Sequence, residues 1–144
     1  MIPLADRPLA MVQQIPAVAR VALVGLGAAA ATVTLTLVDP NQPGHYPACP
    51  TFALTGLYCP GCGALRAVHD LAVGDLVGAW AMNPLVVVAV PYLIWAWAAW
   101  ARRVVTGKPR SFLAPGWVPM MIGIGIVAFA ALRNVPGLEV LAPH

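Results

Sequence analysis

The sequence predicts an all-α integral membrane protein with three transmembrane helices and one or two short interfacial helices in the first loop. Of its 144 residues, 60% are hydrophobic and only 9% are charged. Soluble domains are roughly 45–50% apolar and about 25% charged. Three uncharged stretches also approach the roughly 20 residues that cross a bilayer. The chain is therefore predicted to be one membrane domain, residues 1–144.

The first predicted element is a cytoplasmic arm at residues 1–20, where Pro3, Pro8 and Pro16 oppose one long helix. The first transmembrane segment follows at residues 21–38, which carry no charged residue. We interpret it as an uncleaved anchor, because it is longer than the roughly 7–15 apolar residues of a signal peptide.

Residues 39–82 form the predicted extracytoplasmic loop, which holds all three cysteines. Two short helices are expected in it, over residues 63–71 and 75–81, with Gly74 as the break between them. Both are amphipathic and too short to span the bilayer. We therefore expect them to lie at the membrane interface or against the helix bundle.

The second transmembrane segment is predicted at residues 83–101, with Pro84 in the tolerated first turn and a kink at Pro91. Three tryptophans near its end are typical of the aromatic belt at a membrane interface. They are Trp95, Trp97 and Trp100. The remaining predicted elements are a basic cytoplasmic loop at 102–112, a third transmembrane segment at 113–132 and a tail at 133–144.

The distribution of basic residues predicts the orientation. The arm and the second loop carry six of the eight Lys and Arg residues, whereas the first loop and the tail carry only Arg66 and Arg133. Positively charged short loops stay in the cytoplasm. The N-terminus is therefore predicted to be inside and the cysteine loop outside, where thiols can be oxidised.

The cysteines form the one cluster in the sequence that indicates chemistry. Cys59 and Cys62 have the spacing of a metal knuckle, with glycines that permit the tight turn. A structural zinc ion needs four ligands. Cys49 supplies a third sulfur, and either His69 or His45 could supply the fourth ligand. Zinc is thus the one candidate cofactor.

Two other interpretations of the cysteines stay open. A disulfide from Cys49 to Cys59 or Cys62 would close a loop of about ten residues, and the extracytoplasmic location favours it over zinc. A redox-active pair is the third possibility, because Arg66 near a helix start would favour the thiolates. That interpretation lacks the βαβ pattern of thioredoxin-like proteins.

Four further polar residues accompany the cysteine motif: Arg66, Asp70, Asp75 and Asn83. Arg66 and Asp70 are four residues apart and are expected to form an ordinary ion pair on one helix. Alternatively, the Arg66 guanidinium binds Asp75, backbone carbonyls or a lipid phosphate. His69, unless it is a ligand, is expected to be a polar interface residue.

Several of these residues carry a resemblance to a known family. The sub-motifs are Cys49-Pro50, Leu54-Thr55-Gly56, Cys59-Pro60-Gly61-Cys62-Gly63-x-x-Arg66-Ala67, Gly74-Asp75 and Asn83-Pro84-Leu85. In this order they resemble the bacterial membrane family catalogued as the domain of unknown function numbered 2752, over residues 47–100. Leu65 departs from the family pattern, which has Thr there. The resemblance implies a small helical protein of the bacterial cytoplasmic membrane and no established activity.

The functional prediction is a non-enzymatic accessory or assembly component of a larger membrane complex. Its basis is the small size, the scarcity of charges inside the spans and the lack of a nucleophile–base motif. The alternative is a thiol-redox or zinc-binding protein that acts through the Cys49, Cys59 and Cys62 loop. The expected partners are the lipid bilayer and other membrane proteins. Nucleic acid is not expected, because no basic recognition face is present.

Overall fold

Helices make up the regular structure of this chain in a computed structural model that describes residues 16–109 and 114–143. The predicted all-α class is therefore confirmed for these residues, which contain no strand. Their helices are α1 (Ala17–Leu37), α2 (Pro50–Thr55), α3 (Ala64–Val73), α4 (Leu76–Met82), α5 (Pro84–Thr106), α6 (Trp117–Leu132) and a 3-10 turn (Glu139–Leu141). Most of the predicted arm lies outside the described residues.

Two helices, α1 and α5, are long and apolar enough to cross a membrane, with 21 and 23 residues. Their apolar side chains point outward, since only 11% and 6% of the most apolar stretches are buried. Helix α6 is also apolar but has 16 residues. At about 1.5 Å per residue it is ~24 Å long, shorter than the roughly 30 Å hydrocarbon core.

Helix α1 begins four residues earlier than predicted, directly after Pro16. Proline has no backbone N–H to donate, and its ring clashes with a preceding helical turn. It therefore lies at the start of the helix and not inside it. The helix then packs against α5 where Gly25 faces the ring of Trp97. The Trp97 indole N–H donates to the Val21 carbonyl, at 3.2 Å. Trp97 therefore connects α5 with α1. A tryptophan that lay only in an interfacial aromatic belt would not make this contact.

Helix α5 is capped by Asn83, whose side chain accepts a hydrogen bond from the Val86 amide at 3.3 Å. It runs to Thr106 and ends at Gly107, which has φ +64°. The helix thus continues five residues beyond the predicted end of the second transmembrane segment at residue 101. Arg102 and Arg103 extend the helix because arginine favours helices and its charge suits the C-terminal end.

The first loop contains the two predicted short helices, α3 and α4, within two residues of the expected bounds. They form a tight hairpin across Gly74, which has φ +87°, and pack on α1 and α5. Ala67 and Ala79 are fully buried, and these small side chains allow the close approach of the helices. A one-turn helix, α2, was not predicted. This layer places the cysteines at one end of α1 and α5.

Candidate metal centre

The three cysteine sulfurs meet at the loop end of the molecule. Cys49 precedes α2 as its N-cap residue, and Cys59 and Cys62 lie in the turn that precedes α3. The Cys59 sulfur is 3.5 Å from that of Cys49 and 3.3 Å from that of Cys62. All three sulfurs lie within 4.8 Å of one another. Segments ten residues apart in sequence thus bring their thiols to one point.

The backbone of the Cys59–Cys62 turn explains this geometry. The Cys62 amide donates to the Cys59 carbonyl at 3.2 Å, and the Ala64 amide donates to the Gly61 carbonyl at 3.0 Å. Gly63 then adopts φ +77°, a left-handed conformation that favours glycine. These successive turns place the two cysteine side chains on the same side of the chain.

The sulfur spacing suits a bound metal ion. Zinc–sulfur bonds of about 2.3 Å place the sulfurs of a tetrahedral site ~3.8 Å apart. The two shorter distances here, 3.3 and 3.5 Å, are close to that value. All three cysteines are free thiols in the structure. The group can therefore offer three thiolate ligands at once.

The environments of Cys49 and Cys62 differ. The backbone amide of Phe52, in the first turn of α2, together with the thiols of Cys62 and Cys59, lowers the pKa of Cys49 to about 7. Burial, reinforced by hydrogen bonds with the thiols of Cys59 and Cys49, raises the pKa of Cys62 to about 12. Without a metal, the Cys49 thiol thus ionises more readily than the buried Cys62 thiol, which stays protonated at neutral pH.

Two buried polar side chains donate hydrogen bonds to the carbonyl groups of the turn. Asn83 donates from Nδ2 to the carbonyls of Pro60 and Cys62, each at 3.0 Å. Arg133 donates from Nη1 to the carbonyls of Cys59 and Cys62, at 3.1 and 3.0 Å. Asn83 is fully buried and Arg133 is 2% exposed. The cysteine turn is therefore fixed on the side away from bulk solvent.

Arg133 also joins more distant parts of the chain. Its Nε donates to the Leu141 carbonyl at 2.7 Å, and its Nη2 donates to the Met82 carbonyl at 3.2 Å. The rings of Phe129 and Tyr58 lie 5.1 and 6.0 Å from its guanidinium carbon. Burial lowers the pKa of Arg133 from its usual value.

The sequence interpretation used Arg133 only to orient and terminate the third predicted span. Its site role was missed because more than 70 residues separate it from the turn that it holds. One signal was present: a single arginine directly after a long apolar run, followed by asparagine. Asn134 in fact donates to the Tyr58 carbonyl at 2.9 Å and accepts from its amide at 2.8 Å.

Neither histidine joins the sulfurs, so the expectation that His69 or His45 completes the ligand set is not met. The His69 Nδ1 donates to the Leu35 carbonyl at 2.8 Å, and its Nε2 lies 3.5 Å from an Asp39 carboxylate oxygen. The His45 ring nitrogen lies 2.8 Å from the Asp39 carbonyl. His69 follows Cys62 by about two helical turns and faces the end of α1 instead of the sulfurs.

The remaining polar residues of the motif have structural partners. Arg66 donates from Nε to the Pro40 carbonyl at 3.2 Å. Asp70 is 7% exposed and accepts from Asn41 at 3.0 Å. The two side chains therefore bind the turn after α1, and the ion pair expected between them is not formed. Asp75 caps α4 by accepting from the Gly78 amide at 2.8 Å.

Comparison with known proteins bears on the part of the chain that holds these cysteines. The family described as "Protein of unknown function (DUF2752)" matches residues 49–97. The match begins at the first cysteine, contains the Cys59–Cys62 turn and ends inside α5. Comparisons with curated proteins and with solved structures gave no match. The predicted resemblance is thus confirmed over residues 49–97, where the segment that carries the cysteine site matches the DUF2752 family model.

Proposed function

We propose that this protein is a helical membrane protein that binds one soft metal ion, with Zn²⁺ as the leading candidate, through Cys49, Cys59 and Cys62. The observation that carries the proposal is the convergence of three sulfurs, from two segments, within 4.8 Å. Thiolates prefer soft or borderline ions such as Zn²⁺ and Cu⁺ over hard ions such as Mg²⁺.

The number of sulfurs favours a metal over a disulfide. A disulfide would join two sulfurs and leave the third without a role, whereas a metal ion uses all three. The Cys59 sulfur is nearly equidistant from its two neighbours. That symmetry suits three ligands around one centre.

The fourth coordination position is the basis for a binding role beyond structural support. Structural zinc sites are closed by four protein ligands, whereas three-ligand sites keep a position for an external group. Within residues 16–109 and 114–143, the cluster of ligand side chains comprises the three cysteines alone. We therefore propose that the fourth ligand is exchangeable, supplied by water, a metal donor or a partner.

The membrane arrangement remains part of the proposal. Three spans, formed by α1, α5 and α6, would place the cysteine loop on the extracytoplasmic side of a bacterial membrane. The outward apolar faces of α1 and α5 support membrane spanning. The six-to-two bias in basic residues supports the orientation. An accessory role in a larger complex is compatible with metal binding.

The test is metal analysis of the full-length protein, purified in detergent with a phosphine reductant. We expect about one zinc per chain in the wild type, and loss of that zinc in Cys49→Ser, Cys59→Ser and Cys62→Ser. His69→Ala is the matched control and should keep the metal, because its ring binds α1 and the following turn. Metal retained by any cysteine variant would contradict the three-thiolate site.

Thiol counting separates the metal from the disulfide. After removal of metal with a chelator, under denaturing conditions and without reductant, the metal hypothesis predicts three reactive thiols per chain. A disulfide predicts one. One thiol in freshly prepared protein, together with no metal, would refute the proposal.

A further inference from the structure

Arg133 is a buried cation with no carboxylate partner among the side chains that the structure describes. It is 2% exposed, and its Nε, Nη1 and Nη2 groups donate to backbone carbonyls. Among the side chains that the structure describes, the ion pair formed is that of His69 with Asp39. Carbonyl dipoles satisfy the hydrogen bonds of a guanidinium but leave its full charge uncompensated, which is costly inside a protein.

Within the described residues, the cysteine thiols are the groups acting on Arg133 that become anionic when a metal ion binds. Arg133 binds the carbonyls of Cys59 and Cys62, the two cysteines of the turn. When those cysteines are ionised, their charges favour the charged guanidinium. The rings of Tyr58 and Phe129 lie 6.0 and 5.1 Å from its guanidinium carbon.

We infer that the Arg133 guanidinium supplies the positive charge that balances an anionic thiolate–metal complex, and that this charge balance assigns the site to a divalent soft ion. The inference rests on the proposed function. Three thiolates around a divalent ion carry one net negative charge, which one guanidinium neutralises. A monovalent ion would leave a second negative charge, and a disulfide would leave the one remaining thiol as the only cysteine able to carry a counter-charge. Arg133 is thus a positioning residue that acts through the cysteine turn.

The first measurement compares Cd²⁺ affinity, by chelator competition, among matched variants of the reduced full-length protein. Arg133→Gln removes the charge and should weaken Cd²⁺ binding by about tenfold or more, the size of one charge–charge interaction at the effective dielectric of a partly buried site. Arg133→Lys keeps the charge and should restore most of the affinity. Asn83→Ala removes hydrogen bonds to carbonyls of the same turn without removing a charge, and should weaken Cd²⁺ binding less than Arg133→Gln.

A spectroscopic measurement separates charge from support of the fold. Replacing the ion with Co²⁺ gives sulfur-to-metal charge-transfer bands. A positive charge beside the sulfurs stabilises their lone pairs, so its removal should shift these bands to lower energy. Arg133→Gln should show this shift, while Arg133→Lys and Asn83→Ala should not.

The outcomes distinguish the two proposals. If the wild type binds no Cd²⁺ through three thiolates, the metal site itself is refuted. If it binds Cd²⁺ but Arg133→Gln and Arg133→Lys lose affinity equally, with no band shift, Arg133 only supports the fold and the inference fails. Copper as the native ion, in cells supplied with both copper and zinc, would overturn the assignment to a divalent ion.

Discussion

Replacing Gly63 with alanine tests whether the cysteine turn is held as tightly as the structure indicates. Gly63 has φ +77°, and a Cβ there would lie 2.6 Å from the Met82 carbonyl oxygen and 3.1 Å from Pro143. The left-handed conformation alone costs an alanine about 1–2 kcal/mol. The contact with backbone oxygen adds about 1–3 kcal/mol for overpacking, because a main-chain atom cannot rotate away. The expected total is about 2–5 kcal/mol.

The effect should also reach the metal site, because the Met82 carbonyl accepts a hydrogen bond from Arg133 at 3.2 Å. Gly74→Ala is the matched control. It has φ +87°, but nothing lies within 4 Å of its added Cβ, so only the conformational cost applies. We would measure denaturant unfolding in detergent micelles and metal content for both variants. Equal destabilisation, with metal retained in both, would refute the close packing of the turn.

Three other predictions concern reactivity, helix packing and topology. In the reduced, metal-free protein, the alkylation rate of Cys49 should rise with pH and reach half its maximum near pH 7, because its pKa is lowered to about 7. Cys62, whose pKa is raised to about 12, should stay unreactive at neutral pH. Mass spectrometry after a short alkylation pulse measures both residues. Gly25→Ala should destabilise the α1–α5 contact, because its Cβ would lie 2.6 Å from the Trp97 ring, whereas Gly27→Ala meets open space; thermal unfolding would show the difference. In intact, reduced cells, an impermeant thiol reagent should label the cysteine loop; labelling only after lysis would reverse the orientation.

Local patterns were enough to predict much of the fold and of the candidate site. Helices α3 and α4 follow from short amphipathic stretches separated by Gly74, and the start of α5 follows from the Asn83-Pro84 cap. The Cys-x-x-Cys spacing indicated that two sulfurs point the same way. In each of these cases the determining residues lie within a few positions of one another.

The features that were missed depend on contacts between distant residues or on a choice of helix face. Arg133 reaches a turn more than 70 positions earlier, and no local pattern encodes that contact. His69 could face either the sulfurs or α1, and spacing along α3 did not decide between them. Helix α2 is a single turn that begins with Pro50, and such short helices depend on tertiary packing more than on propensity.

Zinc-edge X-ray absorption of the purified, reduced protein is the decisive measurement of the three-thiolate site, because it counts the atoms bound to the metal. We expect three sulfur atoms at about 2.3 Å and one lighter or exchangeable ligand in the remaining position. The sulfur count should fall in Cys49→Ser while His69→Ala leaves it unchanged. A site with fewer than three sulfurs, or a histidine shell that disappears in His69→Ala, would contradict the three-thiolate centre.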